Sequence, residues 1–302
     1  MTVQTFKSKN FTTLTNDDFY QFIIVDETHH AAAKSYEEIF SYYKPQVLLG
    51  LTATPERADG KDIFKYFNKI SAEIRLPEAI ERQLLSPFHY FGVTDNVDLS
   101  SLTWSKGSYN IKELSDIYTI NESLAIQRVS NIINAINKYV TNVDEIKGIG
   151  FCVSKEHAKF MSYHFNKSNI PSISLTSDSS KEERNNAKDK LLNGTYKFIF
   201  VVDLYNEGVD IPEINTVLFL RPTESLTIFL QQLGRGLRLA KNKDYLTVLD
   251  FIGQAHKKYN FEDKFTSLLH KTRKNLKNEI DNGFISLPKN CYITLEKEAT
   301  KY

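Results

Sequence analysis

The run Phe22-Ile23-Ile24-Val25-Asp26-Glu27-Thr28-His29 places four apolar residues directly before two acids. A short continuous apolar run is typical of a strand that is buried on both faces of a parallel sheet. In an open α/β sheet the ligand binds at the carboxyl ends of the strands. We therefore predict a buried strand over residues 22–25 and expect Asp26 and Glu27 to lie in a ligand site.

The next residues continue the pattern. They predict a helix over residues 31–43 and a second buried strand over residues 47–51, which ends in Thr52-Ala53-Thr54-Pro55. Strand, helix and strand in succession indicate a parallel pair of strands joined by a crossover.

A second α/β unit follows a predicted amphipathic helix over residues 122–140. Its apolar runs, each predicted to form a strand, span residues 148–153, 172–175, 198–202, 216–220 and 245–251. Helices are predicted between most of these runs, including residues 181–192 and 226–237. The fold class is therefore α/β, with doubly wound parallel sheets.

The chain divides into four predicted segments. Residues 1–75 are the C-terminal part of a first α/β domain, and residues 122–253 form a second domain. Residues 76–121 between them contain prolines and glycines that break the alternation, which predicts an irregular interdomain connector. Residues 254–302 carry apolar residues at helical spacing among many lysines, which predicts a basic helical extension docked on the second domain.

Composition bounds the class of protein. The 302 residues are 41% hydrophobic and 25% charged, which suits two globular domains. No apolar run approaches the roughly 20 residues of a membrane helix, and no signal peptide is evident, so we expect a cytoplasmic protein without membrane contact. Cys152 and Cys291 suggest neither a disulfide framework nor a zinc site. The net charge of +1 requires any nucleic-acid groove to be a local cluster of positive charge.

The acidic pair suits nucleotide hydrolysis. One carboxylate can hold the Mg²⁺ that bridges the phosphates, while the other polarises the attacking water. A structural role is also open, because acids at a strand end often cap the next helix. His29 and His30 adjoin the acids, but adjacent residues rarely converge on one transition metal.

Five segments in order resemble the motifs of superfamily 2 helicases. Asp26-Glu27-Thr28-His29 resembles the Walker B or DEAH-type motif II, and Leu51-Thr52-Ala53-Thr54-Pro55 is similar to motif III. Motif IV is similar to Phe151-Cys152-Val153-Ser154, and motif V is similar to Asn206-Glu207-Gly208-Val209-Asp210. Motif VI is similar to Gln231-Gln232-Leu233-Gly234-Arg235-Gly236-Leu237-Arg238.

The resemblance implies two RecA-like domains that hydrolyse ATP in the cleft between them and couple hydrolysis to movement on nucleic acid. It implies that Asp26 positions Mg²⁺ and Glu27 activates water, with Arg235 and Arg238 completing the site from the second domain. A planar guanidinium suits the dispersed charge of a phosphoryl transition state. Arg235 and Arg238 are three residues apart on a predicted helix and would share a face. The alternative is a solvated helix with two surface arginines.

Further roles come from the same resemblance. It assigns nucleotide binding or coupling to His29, Thr52, Thr54, Gly208, Asp210, Gln231 and Gly234. It assigns nucleic-acid contacts to Ser154, Thr176 and Arg221. A simpler interpretation is a turn or a cap for Thr52, Thr54 and Asp210. It is a cap or a surface residue for Ser154, Thr176 and Arg221. Gly234 and Gly236 indicate close approach of a neighbour, because glycine weakens a helix by about 1 kcal/mol.

The phosphate-binding loop is absent, since no G-x-x-x-x-G-K-[ST] sequence occurs. In the family this loop precedes motif II, so we expect the chain to begin inside the first domain and to be inactive as an ATPase by itself. The resemblance to bacterial restriction and repair motors favours DNA over RNA. Residues 283–288 resemble the region after the motor in proteins that also carry a nuclease domain.

Two other functions remain open at this stage. Without a phosphate loop the chain could be a catalytically inactive module that binds nucleic acid or a partner protein. A metabolic phosphotransferase is a further alternative, which motifs V and VI together disfavour.

Overall fold

The structure is a computed structural model that describes residues 1–28, 34–52, 66–105, 107–202, 211–223, 225–269 and 273–299. The chain divides into two compact units, Met1–Glu73 and Ile74–Tyr302.

The first unit contains a parallel pair of strands. Its elements are α1 (Val3–Ser8), α2 (Phe11–Leu14), β1 (Phe22–Val25), α3 (Lys34–Tyr42) and β2 (Val47–Gly50). Strand β1 pairs with β2 in parallel, with Phe22 opposite Val47 and Val25 opposite Gly50. The predicted strand, helix and strand are therefore confirmed, although the predicted start of the helix at residues 31–33 lies outside the described residues.

One face of this two-stranded sheet is exposed. Phe22 and Ile24 are 67% and 66% exposed, and Val47 and Leu49 on the neighbouring strand are also exposed. Burial thus alternates along both strands. The prediction that the strand is buried on both faces is wrong, because no described residue covers this face of the sheet.

The second unit is built on a seven-stranded parallel sheet in the order β11-β3-β10-β9-β6-β8-β7. Its strands are β3 (Phe88–Thr94), β6 (Gly148–Phe151), β7 (Ser172–Leu175), β8 (Phe198–Val201), β9 (Thr216–Phe219), β10 (Leu246–Ile252) and β11 (Tyr292–Leu295). A separate hairpin pairs β4 (Trp104–Ser105) with β5 (Ser108–Tyr109). The helices are α4 (Leu76–Glu81), α5 (Ile111–Thr119), α6 (Glu122–Tyr139), α7 (Lys155–Lys167), α8 (Lys181–Leu192), α9 (Leu226–Gly236), α10 (Glu262–Leu269) and α11 (Arg273–Asp281).

Apolar runs become central strands because both faces of this sheet are covered. Successive residues of β9 enter different cores: Val217 and Phe219 pack in one, and Leu218 packs in the other with Leu220, which follows the strand. A strand covered on both faces needs apolar residues at every position. The α/β fold and the doubly wound second domain are confirmed.

The segment predicted as an irregular connector belongs to the second unit. Residues 76–121 contain β3, a fully paired strand between β10 and β11, so the prediction of irregular structure is wrong there. Two residues interrupt the apolar pattern: His89, which is polar, and Gly92, which has no side chain. The imidazole of His89 nevertheless stacks between the rings of Tyr245 (3.7 Å) and Tyr292 (4.0 Å), which lie far away in the sequence.

The C-terminal extension contains the predicted helical structure and a strand. Phe265, Leu268, Leu269 and Leu276 are buried in the core of the second unit, as their spacing predicted. Strand β11, which we did not predict, then adds to the sheet beside β3. Within the parts of the chain that the structure describes, no helix combines the length and apolar character that crossing a bilayer requires.

Candidate functional site

Asp26 and Glu27 follow β1 in a loop with unusual backbone geometry. Glu27 has a φ of 51°, in the left-handed region that a side-chain-bearing residue seldom occupies. The Asp26 carboxylate accepts a 2.9 Å hydrogen bond from the Glu27 N–H. Such local strain persists only where the surroundings enforce it, and it concentrates at functional sites.

Thr28 ties the acidic loop to the end of β2. It is only 2% exposed, and it donates two hydrogen bonds to the Leu51 carbonyl oxygen, from its N–H (2.9 Å) and its hydroxyl (3.0 Å). A Cβ on Gly50 would lie 2.7 Å from the Thr28 methyl carbon, so glycine permits this approach. The bonds connect the end of the acidic strand to the residue before half-buried Thr52. This role of Thr28 was not predicted, because its acceptor lies 23 residues away in the sequence.

Tyr36 on α3 also belongs to this site. Burial raises the pKa of its phenol, and the negative charges of Asp26 and Glu27 raise it further. The phenol therefore stays neutral and retains a proton that it can donate in a hydrogen bond. Its ring stacks on Phe40 at 5.9 Å, one helical turn away. The helical prediction covered Tyr36, but nothing in the sequence singled it out from the other aromatic residues of α3.

The described residues of the acidic loop fit Mg²⁺ in one specific way. Among the described residues no three His, Cys, Asp or Glu side chains could hold a metal ion between them. Asp26 is exposed at the carboxyl end of a strand. Mg²⁺ commonly uses one or two carboxylates and takes its other ligands from water and phosphate oxygens. The donor set therefore suits a magnesium ion held jointly with a phosphate ligand.

Several predicted site residues cannot be located. His29, Thr54, Gly208 and Asp210 lie outside the described residues. Their roles remain predictions.

Helix α9 of the second unit contains Arg235 and is followed closely by Arg238. Its first turn is capped by the Ser225 hydroxyl, which accepts a hydrogen bond from the Ile228 N–H at 3.4 Å. Arg235 lies in the last turn and is half-buried. The helix ends at Gly236, so Arg238 lies beyond it. The prediction that both arginines share a helical face is wrong.

Helix α9 ends where a lysine side chain forms hydrogen bonds with backbone carbonyl groups. Lys243 donates hydrogen bonds to the carbonyl oxygens of Gly236 (2.8 Å), Arg238 (2.5 Å) and Pro212 (2.7 Å). Burial lowers the pKa of Lys243 to about 8, and the Glu213 carboxylate opposes that shift. Lys243 thus fixes the backbone on both sides of the helix end. No feature of the sequence distinguishes Lys243 from the exposed lysines around it, so this role was not predicted.

The two glycines of α9 have different surroundings. A Cβ on Gly236 would lie 2.8 Å from the methyl carbons of Leu246 and 3.2 Å from Val217, so close approach is confirmed there. A Cβ on Gly234 would meet no described heavy atom within 4 Å. Within the described part of the chain, Gly234 therefore has open space beside it.

Gln231 and Gln232 differ sharply in burial. Gln231, the residue predicted at the nucleotide, is half-buried. Gln232 is 0% exposed, and neither its amide oxygen nor its amide nitrogen has a hydrogen-bond partner among the described residues.

The predicted nucleic-acid contacts follow three strands of one sheet. Ser154 comes after β6, Thr176 after β7 and Arg221 after β9. Because the strands are parallel, all three residues lie at the same edge of the sheet. Their role in binding remains a prediction.

Two of these residues also have local structural roles. The Ser154 hydroxyl caps α7 by accepting the His157 N–H at 3.1 Å. Thr176 is buried and its hydroxyl accepts the Asp178 N–H at 3.3 Å. Arg221 is half-buried. The capping interpretation therefore holds for Ser154, whereas Thr176 is buried and is not the surface residue that the alternative allowed.

A buried ion pair beneath this edge escaped the sequence analysis. Arg128 donates to the Asp95 carboxylate at 2.7 Å and to the Leu220 carbonyl at 3.0 Å, and its guanidinium lies 4.0 Å from the Tyr118 ring centre. Burial, with the Arg128 charge adding to it, lowers the pKa of His157 well below its usual value. The pair joins α6 to the residues that follow β3 and β9. The hydrogen bond from Arg128 to the Leu220 carbonyl fixes the backbone directly before Arg221.

Two sequence families match parts of the chain. The family described as "Type III restriction enzyme, res subunit" matches residues 1–57. The family described as "Helicase conserved C-terminal domain" matches residues 117–240.

Individual proteins are similar over most of the chain. The putative ATP-dependent helicase IRC3 of Saccharomyces cerevisiae is 29% identical over 238 residues, which cover 76% of this chain and 34% of that protein. The type I restriction enzyme EcoAI endonuclease subunit of Escherichia coli is 26% identical over 264 residues, or 78% of this chain and 32% of that protein. The chain thus spans about a third of the length of these two relatives.

The fold is shared with a solved structure. A fragment of a putative HsdR subunit of a type I restriction enzyme from Vibrio vulnificus YJ016 superimposes with a TM-score of 0.62 at 20% identity. The match covers 95% of this chain and 50% of that one.

Proposed function

We propose, on the premise that this chain belongs to the superfamily 2 helicase family, that it is part of an ATP-dependent motor that moves on DNA. The observation that carries the proposal is the acidic loop after β1. Two carboxylates stand at the carboxyl end of a parallel strand, and Thr28 anchors their loop to the end of β2. Strained Glu27 fits a residue placed for chemistry rather than for stability.

In this proposal the acidic loop acts on the γ-phosphate and the attacking water. The Asp26 carboxylate would hold Mg²⁺, which when bound neutralises charge on the phosphate oxygens. Glu27 orients the attacking water and accepts its proton. The neutral Tyr36 phenol, whose pKa is raised by burial and by both acids, can donate a hydrogen bond within the site.

The second unit contributes positive charge. Arg235 and Arg238 stabilise the charge that develops on the phosphoryl group. Lys243 supports both arginines by fixing the backbone where α9 ends. Gln231, Gly234, Thr52, Thr54, His29, Gly208 and Asp210 are proposed to bind nucleotide or couple its state to movement. Ser154, Thr176 and Arg221 are proposed to contact the strand.

DNA is the proposed partner because one relative is a restriction-enzyme subunit. A nuclease domain elsewhere in the full-length protein is part of the same proposal. We also propose a cytoplasmic location.

The test is ATP hydrolysis by the full-length protein that contains this chain, measured with and without single-stranded DNA. Glu27→Gln should reduce the DNA-stimulated rate by at least about 100-fold, the usual contribution of a general base. Glu37→Gln, an exposed change on α3, is the matched control and should retain the rate. Wild-type turnover by Glu27→Gln would refute the proposed role.

A second candidate is a catalytically inactive module that binds nucleic acid or a partner. The missing G-x-x-x-x-G-K-[ST] sequence favours it for the chain by itself. Titration of the isolated chain with ATP and DNA separates the two functions. We expect DNA binding with negligible hydrolysis, and rapid hydrolysis would show that the missing loop is dispensable.

A further inference from the structure

We propose that a cavity beside the β4–β5 hairpin receives one base of a nucleic-acid strand. This inference rests on the proposed function, because it assumes that the chain binds nucleic acid. The cavity encloses about 260 Å³ and is lined by Trp104, Thr223, Lys258 and Tyr259 among others. That volume lies below the range of about 300–1,000 Å³ for drug-sized ligands, which suits a single planar ring system.

One wall of the cavity is an immobilised aromatic ring. The indole of Trp104 stacks on the imidazole of His256 at 5.3 Å between ring centres and 7° between planes. The Tyr109 ring packs edge-on against the Trp104 indole at 4.8 Å between ring centres. The Tyr109 hydroxyl accepts a 2.7 Å hydrogen bond from the backbone N–H of His256. Trp104 remains partly exposed and lines the cavity. A ring held in this way can stack on a base with little loss of conformational freedom.

A buried hydroxyl at the cavity lacks a partner. Thr223 is 6% exposed, and both of its backbone groups bond to the Tyr259 hydroxyl at 3.1 Å. Its own hydroxyl has no hydrogen-bond partner among the described residues. Buried hydroxyl groups are normally satisfied, so an unsatisfied one that borders a cavity indicates a polar ligand. The edge of a base offers the donors and acceptors that it lacks.

The charged side chains that line the cavity are Lys258, Lys264 and Asp263, so a phosphate is expected at Lys258 and away from the Asp263 carboxylate. Lys258 is exposed and borders the cavity, where its ammonium can reach a backbone phosphate. Lys264 is buried and paired with Asp250 at 2.7 Å, so its charge is already compensated. The exposed cation and the aromatic wall together form the combination that binds single strands.

The cavity lies at the edge of the sheet where a strand is expected. Thr223 follows β9, Tyr259 follows β10, and Trp104 follows β3 in the sequence. The first two lie after the carboxyl ends of adjacent parallel strands, as Arg221 does. A base in the cavity and a backbone along this edge are therefore compatible with one continuous strand.

Tryptophan fluorescence tests the inference directly, because Trp104 is the only tryptophan of the 302 residues. The complete chain is titrated with a short dye-labelled single-stranded DNA, and dye anisotropy reports binding independently of tryptophan emission. We expect saturable quenching that follows the anisotropy curve. A strand with abasic sites should bind through its phosphates without the same quenching.

Variants identify the contacts. Trp104→Ala should weaken binding about 10-fold, as loss of base stacking does, and Trp104→Phe should weaken it less. Thr223→Val keeps the shape and should weaken binding about 5-fold, as loss of one hydrogen bond does. Thr195→Val is the matched control, because Thr195 is exposed after α8 and does not line the cavity. Thermal melting establishes that each variant is folded.

The outcomes separate the two proposals. Strand binding by anisotropy with unchanged tryptophan emission and unchanged variant affinities would overturn the cavity and leave the motor proposal intact. Absence of any strand binding by the chain would overturn the cavity proposal, whereas the motor proposal is decided separately by DNA-stimulated ATP hydrolysis of the full-length protein. Equal quenching by a free nucleoside monophosphate at the same concentration would assign the cavity to a small molecule and overturn its role in strand binding.

Discussion

Lys243 donates a 2.8 Å hydrogen bond from its ammonium group to the carbonyl oxygen of Gly236, the residue at which α9 ends. The last carbonyl groups of a helix have no partners within it and carry partial negative charge. The half-buried Lys243 satisfies such groups and matches their charge. Because it also bonds to Arg238 and Pro212, its removal affects three segments together.

Lys243→Met keeps most of the side-chain stem and removes the ammonium. We expect it to lower the free energy of unfolding by about 1–3 kcal/mol, because two part-buried carbonyl groups lose their donor. Urea denaturation followed by circular dichroism measures the change. Lys241→Met, at an exposed neighbouring position, should leave stability within about 0.5 kcal/mol of wild type. Equal stability of the two variants would show that water replaces the ammonium.

Replacing each of the two glycines of α9 by alanine is expected to change stability in opposite directions. Gly236→Ala should destabilise the second unit by about 1–3 kcal/mol, because its Cβ would lie 2.8 Å from the Leu246 side chain. Gly234→Ala should stabilise it by up to about 1 kcal/mol, because the helix gains alanine and the space is open. Thermal or urea unfolding of the two variants checks the signs. Destabilisation by Gly234→Ala would contradict the open surface described here.

Gly234→Ala also distinguishes an effect on stability from an effect on activity. If Gly234 faces nucleotide or a coupling segment in the working motor, Gly234→Ala should reduce DNA-stimulated ATP hydrolysis by the full-length protein while raising its stability. Full activity in that variant would remove Gly234 from the proposed site.

The sequence predicted elements whose burial is continuous and missed those whose burial depends on distant partners. Strand β8 was predicted to within one residue, because its four residues form an unbroken apolar run that is buried throughout. Strand β3 was missed because Pro87 and Gly92 break the apolar pattern, while His89 within it is enclosed by two tyrosine rings, one of them from β11. A pattern within the strand cannot reveal partners that lie some 150 to 200 residues away in the chain.

The candidate site shows the same division. The acids and arginines were found from motifs, because their chemistry restricts the residue types. Thr28 and Lys243 act through backbone carbonyl groups, which every residue carries, so their types gave no signal. Arg238 was placed on α9 because the helical pattern does not show where tertiary hydrogen bonds end the helix.

Glu296 predicts how stability depends on pH. Burial raises the pKa of its carboxyl group, but hydrogen bonds from Lys138, the Thr94 N–H and Tyr139 outweigh that effect and lower the pKa to about 2. A carboxyl group with a lowered pKa stabilises the folded state above its unfolded pKa of about 4.3. That contribution is lost as the pH falls from about 4 through about 2.

The measurement compares wild type with Glu296→Gln in urea at several pH values. The wild type should be the more stable at pH 7, and the difference should shrink below about pH 4 and vanish only below about pH 2, where the carboxyl group is protonated in both states. Glu81→Gln, at an exposed position of α4, should show no such dependence. A difference between wild type and Glu296→Gln that is constant across this range would show that packing, not charge, makes residue 296 important.

Glu27 should trade stability for chemistry. Its φ of 51° disfavours any residue with a Cβ, at a cost of about 1–2 kcal/mol that glycine avoids. Glycine also gains more entropy in the unfolded chain, which offsets part of that relief. We therefore expect Glu27→Gly to be as stable as Glu27→Gln or more stable by up to about 1 kcal/mol, while both variants lose DNA-stimulated ATP hydrolysis in the full-length protein. Hydrogen exchange at the β1 and β2 amides reports the stability of the first unit. The paired control is Glu37→Gly within α3, where the ordinary helical backbone predicts a loss of about 1 kcal/mol relative to Glu37→Ala. If Glu27→Gly is destabilised as much as this control, the left-handed backbone at Glu27 is not strained, and it gives no support to a catalytic role.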